Sequence, residues 1–263
     1  MEGKIELEQY YESYGEGRPI VMIHGSYATT STWKRMLPLI PQGHRCILIK
    51  LPGHCGTPQP EDFELAMVET ELSIIEAIIA KECDEPIHLV GHSYGGVVAL
   101  AMALKGQVKL AQLSLFEPVA TWVLELENDR PMLATVNDFL QDYRSSVEQN
   151  QPEACGKVID FWSASSEFAQ FPDEVKTMMS TLERNNVRHW DICTTFPNEA
   201  FDLVTLNVPT NIVFGSQSNT VAHAIAGHLH TLLPNARSTK ISGASHGLVG
   251  SHAQACAQAI FSQ

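Results

Sequence analysis

The stretch that decides the fold is residues 86–104, Pro86-Ile87-His88-Leu89-Val90-Gly91-His92-Ser93-Tyr94-Gly95-Gly96-Val97-Val98-Ala99-Leu100-Ala101-Met102-Ala103-Leu104. Its first five residues predict a short buried strand, and the small apolar residues from Gly95 onwards predict a helix buried against a sheet. The junction matches Gly-x-Ser-x-Gly, a tight turn that exposes a serine hydroxyl at its apex. Glycine is needed at both ends because a β-carbon there would crowd the adjoining strand and helix. The bare pattern is weak, but these flanks make a strand–turn–helix centred on Ser93 the expected structure.

The composition is that of an ordinary globular chain. Its 263 residues are 44% hydrophobic and 18% charged, which suffices for one α/β domain with a sizeable core. A net charge of -13 argues against nucleic acid and anionic membranes as partners. No segment reaches the roughly 18 apolar residues of a membrane span, and the first residues lack a signal-peptide pattern.

The cysteines and histidines predict no metal site. The six cysteines are scattered without a Cys-x-x-Cys pair, which favours free thiols in a reducing compartment. His223, His228 and His230 lie close together in the sequence, but no carboxylate or cysteine completes a ligand set. We therefore expect a cytoplasmic protein without a metal or cofactor, and the oligomeric state stays unknown.

Strand and helix patterns alternate along most of the chain, which is typical of a mostly parallel sheet covered on both faces. Spacing of apolar residues predicts a helix between Asp62 and Ala80, another after the serine turn, one through Ala222 and Leu233, and a last one over Ala253–Phe261. The expected strands are Lys4–Leu7, Gln9–Tyr14, Ile20–Ile23, Arg45–Lys50, Pro86–Val90, Leu110–Phe116, Pro209–Phe214 and Arg237–Ile241.

From Thr121 to Leu206 the alternation stops. A long helix is expected between Leu133 and Val147, and Pro152 and Pro172 lie where two more helices can start. We interpret 121–206 as a helical cap inserted into a core made of 1–120 and 207–263. Its aromatic residues suggest an apolar acyl pocket, although they would equally pack the cap's own core: Trp122, Phe139, Trp162, Phe168 and Trp190.

Three motifs, in this order and spacing, resemble the α/β-hydrolase fold superfamily over essentially the whole chain. His24-Gly25-Ser26 follows the third expected strand, Gly91–Gly95 the fifth and Gly243–His246 the last, while Leu51–His54 resembles the loop after the fourth strand. The resemblance implies an α/β-hydrolase fold, a mostly parallel twisted sheet flanked by helices with a helical cap after the sixth strand. It also implies the activity of a serine hydrolase similar to esterases, which needs no cofactor.

The same resemblance makes Ser93 the nucleophile and His246 its base. A serine hydroxyl is a weak nucleophile without a neighbouring base, and His246 would take its proton and return it to the leaving group. Two backbone N–H groups are expected to form the oxyanion hole, from Tyr94 after the nucleophile and from Ser26 after the His-Gly pair. Solvent contact is the simpler expectation for the Ser26 hydroxyl, although it can also donate to the oxyanion. Tyr94 either lines the pocket or packs beneath it.

The acid of the triad departs from the common family pattern. The loop Gly215–Val221, where an aspartate is usual, carries Asn219, which cannot stabilise an imidazolium by charge. Some members, such as haloalkane dehalogenases, carry a glutamate at the end of the sixth strand, and this chain has Glu117 there. A hydrogen bond to His246 would explain a carboxylate directly after a buried strand. We predict Ser93–His246–Glu117, with Asn219 as the alternative position.

Other roles for these positions stay open. Glu117 would lie in the same place if it only met solvent or capped a helix, and Asp191 and Asp202 are weaker candidates for the acid. A serine at the turn argues against dehalogenases and epoxide hydrolases, which use aspartate there. We therefore predict hydrolysis of a small carboxylic ester, thioester or lactone with an apolar acyl part.

Two alternatives to ester hydrolysis remain. A C–C bond hydrolase or a perhydrolase would use the same residues, and a catalytically weak member of the fold would bind a small ligand instead. The acidic chain makes an acidic carrier protein a poor partner.

Overall fold

The computed structural model describes residues 6–195 and 200–261. Within them, a seven-stranded sheet has the order β1-β3-β2-β4-β5-β6-β7, with β1 antiparallel to β3 and every other neighbouring pair parallel. The strands are β1 (Tyr11–Gly15), β2 (Arg18–Ile23), β3 (His44–Ile49), β4 (Ile87–His92), β5 (Leu110–Phe116), β6 (Thr210–Gly215) and β7 (Ala236–Ile241).

Twelve α-helices are found in the described residues, and none of them is long and apolar enough to cross a membrane. Three short 3₁₀ helices accompany them. The α-helices are α1 (Ser31–Lys34), α2 (Glu69–Glu82), α3 (Tyr94–Lys105), α4 (Trp122–Leu126), α5 (Arg130–Glu148), α6 (Ala154–Ser163), α7 (Asp173–Ser180), α8 (Glu183–Thr195), α9 (Ala200–Thr205), α10 (Thr220–Leu232), α11 (Leu248–Ser251) and α12 (Ala253–Phe261).

Both faces of the sheet are covered, as the sequence predicts. Successive side chains of a strand point to opposite faces, and in β2 they enter two different cores. Val21 and Ile23 pack with residues of α2, α3 and α10, whereas Ile20 and Met22 pack with residues of α1 and α12. The described chain therefore has the expected α/β-hydrolase architecture.

Of the two strands expected at the start of the chain, the second is present as β1 from Tyr11 onwards, whereas the first is not found in the described residues. Leu7–Tyr10 is a 3₁₀ helix, while Lys4 and Ile5 lie outside the described residues. Tyr10 is buried, and its carbonyl accepts a 2.7 Å hydrogen bond from the N–H of Lys50 just beyond β3. The chain pairs with β3 only from Tyr11 onwards. The helical segment between β5 and β6 consequently follows the fifth described strand, not the sixth.

That helical segment contains α4 to α9. Its longest helix, α5, spans the region predicted between Leu133 and Val147, and α6 and α7 begin just after Pro152 and Pro172. The division into a core (1–120 and 207–263) and a cap (121–206) stays a prediction.

A buried ion-pair cluster fixes α8 to α2 and to the loop that precedes α2. Arg188 is 1% exposed, and its guanidinium contacts Oδ2 of Asp62 at 2.7 Å and Oε1 of Glu71 at 2.6 Å. Asp62 also accepts hydrogen bonds from the Met67 N–H and the Thr70 hydroxyl. These bonds hold the loop after Asp62 out of helical conformation, so α2 begins at Glu69 rather than in the predicted region directly after Asp62.

Arg188→Met is expected to lower the free energy of unfolding by about 3–5 kcal/mol, because it leaves buried carboxylates without their partner. The matched control is Arg144→Met, which removes a 2.6 Å ion pair between α5 and Asp191 of α8. Both of those side chains are more than a third exposed, so the expected loss is under about 1 kcal/mol. Urea unfolding of the two variants measures both values. Equal stabilities would contradict this role for Arg188.

Candidate active site

The serine turn has the strained geometry that the sequence predicts. β4 ends at His92, Ser93 has φ 57° and ψ -122°, and α3 begins at Tyr94. A β-carbon on Gly91 would lie 2.2 Å from the carbonyl oxygen of Gly95, and one on Gly95 would lie 2.3 Å from that of Ile23. Positive φ at a non-glycine residue is energetically costly and persists where the surroundings enforce it. Close packing of strand and helix therefore forces the Ser93 side chain out at the apex.

The three residues predicted to form a triad are linked by hydrogen bonds, with His246 between Ser93 and Glu117. The Oγ atom of Ser93 is 3.0 Å from Nε2 of His246, and Nδ1 of His246 is 2.7 Å from Oε2 of Glu117. With Nδ1–H donating to the carboxylate, Nε2 carries the lone pair that faces the serine hydroxyl. The indole of Trp162 stacks on the His246 ring at 5.3 Å and 22°. This arrangement suits proton transfer from Ser93 to His246.

Glu117 is held by three hydrogen bonds in a buried position. Its side chain is fully buried, and its backbone adopts φ 44° directly after β5. Besides His246, the carboxylate accepts a 2.6 Å bond from the N–H of Gly215 and a bond from the hydroxyl of Ser218. Burial acts to raise the pKa of Glu117, but the hydrogen bonds and the His246 interaction outweigh it and keep the pKa below its ordinary value. Glu117 is therefore not a carboxylate that merely meets solvent or caps a helix.

The lowered pKa of Glu117 predicts a pH-dependent contribution to stability. The unfolded state takes up the proton first as the pH falls, so this contribution is present above about pH 4.5 and disappears below the folded-state pKa. The difference in unfolding free energy between the wild type and Glu117→Gln is thus expected to shrink on acidification from pH 6 to pH 3. Urea titrations across this range measure it, and a difference that stays constant would contradict it.

Asn219, the alternative acid position, has both polar side-chain atoms engaged elsewhere. Its Oδ1 accepts from the N–H of Ala222 at 2.8 Å and caps the N-terminus of α10. Its Nδ2 donates to the carbonyl of Phe161 at 2.7 Å. The loop that usually supplies an aspartate supplies here the Ser218 and Gly215 donors to Glu117. Of the weaker candidates, Asp191 pairs with Arg144, and Asp202 lies in α9.

Tyr94 and Ser26, the two residues predicted to form the oxyanion hole, both border the cavity at Ser93. Tyr94 is the first residue of α3, so its N–H has no acceptor within the helix. Ser26 lies two residues after His24, at the carboxyl end of β2 beside Ser93, and both serines border one cavity. Tyr94 also borders this cavity, although its ring is almost wholly buried.

The expectation that the Ser26 hydroxyl meets solvent is wrong. Ser26 is 8% exposed, and its Oγ is hydrogen-bonded to Nδ1 of His189. The same Oγ accepts a 2.9 Å bond from Nδ2 of Asn186. Asn186 and His189 belong to α8 and were not among the predicted site residues. No local signal marks them, because their partner lies about 160 positions away in the sequence.

The cavity above Ser93 is mainly apolar. Trp162 and Trp190 line it as predicted, together with Val119, Val158 and Met179. The other three predicted aromatics lie outside its lining in the described part of the chain. Phe139 packs on Phe161 with ring centroids 4.0 Å apart. Such a surface suits an apolar acyl group next to the serine.

Within residues 6–195 and 200–261, no group of three or more His, Cys, Asp or Glu side chains is placed to hold a metal ion. The cavity lining also contains the half-buried Glu167 and the polar side chains of Tyr27, Thr32, His92 and Ser163. The site therefore presents a hydrogen-bonded serine and histidine beneath an apolar wall.

Comparisons with known proteins show the family of the chain. A family model described as "Alpha/beta hydrolase family" matches residues 20–259. The chain is 24% identical over 252 residues to a pimeloyl-[acyl-carrier protein] methyl ester esterase of Neisseria meningitidis, covering 91% of this chain and 90% of that protein. It is 22% identical over 271 residues to a 2-hydroxy-6-oxononadienedioate/2-hydroxy-6-oxononatrienedioate hydrolase of Pseudomonas putida, covering 96% and 90%.

A solved structure gives the same fold. The bromoperoxidase from Bacillus anthracis superposes with a TM-score of 0.74 at 22% identity, covering 95% of this chain and 92% of that one. This likeness shows the α/β-hydrolase fold, and the family model extends over nearly all of the sheet and the helical segment. The chain belongs to the alpha/beta hydrolase family.

Proposed function

We propose that this α/β hydrolase cleaves small carboxylic esters, thioesters or lactones through an acyl-enzyme on Ser93. The observation that carries the proposal is the chain of hydrogen bonds from Ser93 through His246 to Glu117, with distances of 3.0 and 2.7 Å. A nucleophile, a base and a group that orients the base are the parts that serine-based acyl transfer requires.

The reaction begins when His246 takes the Ser93 proton at Nε2 as Oγ attacks the carbonyl carbon. The negative charge that develops on the carbonyl oxygen is stabilised by the N–H groups of Ser26 and Tyr94. His246 then gives its proton to the departing alcohol, thiol or ring oxygen, which leaves the acyl group on Ser93. Water attacks this ester in the same way, with His246 as base, and regenerates the free serine. Glu117 stays ionised and stabilises the imidazolium in both halves.

We infer an uncharged acyl part for the substrate. Among the described residues, those lining the cavity include no Lys or Arg, and Glu167 adds a carboxylate to the lining. A dicarboxylate such as the one in the name of the Pseudomonas putida relative would meet no cation there. A net charge of -13 likewise gives no attraction to an acidic carrier protein, so a free small ester fits better than a carrier-bound one.

A reducing location such as the cytoplasm fits the same proposal. All six cysteines are free, as is usual where thiols stay reduced.

The test is hydrolysis of p-nitrophenyl acetate, butyrate and octanoate, with Ser93→Ala run in parallel as the background. Each methylene that enters the apolar cavity is worth about 0.8 kcal/mol, so kcat/KM is expected to rise about fourfold per added carbon until the cavity is full. Measuring kcat/KM for phenyl thioacetate and a γ-lactone as well ranks carboxylic esters, thioesters and lactones as substrates. Equal rates for the two proteins on every ester would contradict the proposal and favour C–C bond hydrolysis or ligand binding.

A further inference from the structure

One side chain of α8 contacts both residues that the proposed mechanism uses for the oxyanion hole. His189 is hydrogen-bonded through Nδ1 to the hydroxyl of Ser26, and its ring stacks on the ring of Tyr94 with centroids 3.7 Å apart and planes 9° apart. All three residues are buried. Ser26 and Tyr94 come from different elements, the end of β2 and the start of α3, and His189 joins them from outside the sheet.

The direction of the hydrogen bonds follows from the surroundings of His189. Burial holds the pKa of His189 well below its ordinary value, so the imidazole is neutral and carries one proton. Its Nε2 faces the carboxylate of Glu71 at 4.0 Å, which favours the tautomer protonated at Nε2. Nδ1 then accepts the Ser26 O–H, while Ser26 Oγ accepts from Asn186.

These bonds leave the Ser26 hydroxyl fully engaged and fix its backbone. The Ser26 hydroxyl donates its hydrogen bond to His189, so it is not an additional donor to the oxyanion. The carbonyl oxygen of Ser26 is held as well, 2.6 Å from Nε2 of His54 in the Leu51–His54 loop. Ser26 is thereby fixed at both its hydroxyl and its carbonyl, and its N–H has a set direction.

We propose that His189 is a positioning residue that sets the distance and direction between the two oxyanion N–H donors. The proposal rests on the function proposed above, and it makes α8 part of the machinery that stabilises the transition state. The stack fixes Tyr94, and the hydrogen bond fixes Ser26. Both contacts are made within the protein, although His189 also borders the cavity. We therefore expect their loss to act on kcat more than on KM.

The test compares His189→Phe with Ser26→Ala and with the control Asn185→Ala. His189→Phe keeps a ring on Tyr94 and loses the bond to Ser26, while Ser26→Ala removes the same bond from the other side. Asn185 is an equally buried neighbour on α8 whose Nδ2 donates to Gln59 at 3.0 Å, so its loss weakens only the anchoring of the helix. The readouts are kcat, KM and the affinity of an alkyl trifluoromethyl ketone, which forms a tetrahedral adduct with a catalytic serine.

His189→Phe and Ser26→Ala are each expected to lower kcat about tenfold or more and to change KM less than twofold. The loss of kcat should be smaller than the loss of about 10²–10³-fold caused by removing an oxyanion donor outright. The affinity of the ketone falls by the same factor as kcat/KM. Both substitutions remove the bond between Ser26 and His189, and Ser26→Ala also removes the bond from Asn186. The double variant is therefore expected to lose no more than the worse single variant. Asn185→Ala keeps kcat within twofold of the wild type.

Two results overturn the proposal. In the first, Ser26→Ala and His189→Phe both keep the wild-type kcat and ketone affinity while Ser93→Ala is inactive. The proposed function is then still supported, but the positioning role of His189 is not. The other is an equal loss in Asn185→Ala, which reduces His189 to an anchor of the helix. If His189→Phe does not fold, Ser26→Ala decides alone, because it removes the same bond without changing α8. A wild type without Ser93-dependent turnover overturns the proposed function, and this inference with it.

Discussion

Ser93→Ala is expected to lower kcat for ester hydrolysis by about 10⁶-fold, because it removes the hydroxyl that is hydrogen-bonded to His246 and that would form the acyl-enzyme. His246→Ala should lower kcat nearly as much, since it removes the base that lies 3.0 Å from the Ser93 hydroxyl. The two residues act as a unit. The double variant is therefore expected to be no slower than Ser93→Ala alone. Steady-state kinetics on p-nitrophenyl butyrate measure all three rates.

Far-UV circular dichroism and urea unfolding serve as the control for folding. Ser93 and His246 contribute little apolar burial, so both single variants should keep the wild-type fold. Additive losses, with the double variant slower than either single variant by the product of the two factors, would contradict a shared role in one step.

Glu117→Gln is expected to lower kcat by about 10⁴-fold, the cost of changing the triad aspartate of a serine protease to asparagine. The amide has nearly the same shape, but it cannot stabilise the imidazolium by charge and it favours the wrong tautomer of His246. The change falls on kcat, because Glu117 is fully buried and does not contact the cavity. Kinetics of the purified variant give the value directly.

Asn219→Ala is the matched control at the alternative acid position. Its side chain caps α10 and donates to the Phe161 carbonyl, so the variant is expected to lose about 1 kcal/mol of stability and to keep its activity. The opposite pattern, with activity lost in Asn219→Ala and kept in Glu117→Gln, would show that the acid had been assigned to the wrong loop.

Most of the sheet could be predicted from the sequence because its strands are short apolar runs between turns. β5 has the predicted bounds Leu110–Phe116, and the strand–turn–helix around Ser93 was defined by its glycines and its apolar flanks. The opening of the chain could not be predicted in the same way. Residues 4–14 alternate in polarity like a strand, but tertiary contacts of Tyr10 determine where pairing with β3 begins.

The candidate site was predictable only where a motif places a residue. Glu117 follows a buried strand at a position where some members of the family carry their acid, and a hydrogen bond to His246 would explain a carboxylate there. The residues of α8 carried no such signal. Asn185, Asn186, Arg188 and His189 make the helix look polar and solvated, yet all four are buried against loops far away in the sequence. Side-chain hydrogen bonds between distant segments depend on the completed fold and leave no periodicity to detect.

Covalent labelling with a fluorophosphonate tests most directly whether Ser93 is the nucleophile. The reagent phosphonylates an activated serine and releases fluoride, and intact-protein mass spectrometry followed by peptide mapping counts and places the adduct. We expect one adduct per chain, on Ser93, with no adduct in Ser93→Ala and much slower labelling in Glu117→Gln. An active esterase that stays unlabelled at Ser93, or carries its adduct on another residue, would contradict a reaction through Ser93, His246 and Glu117.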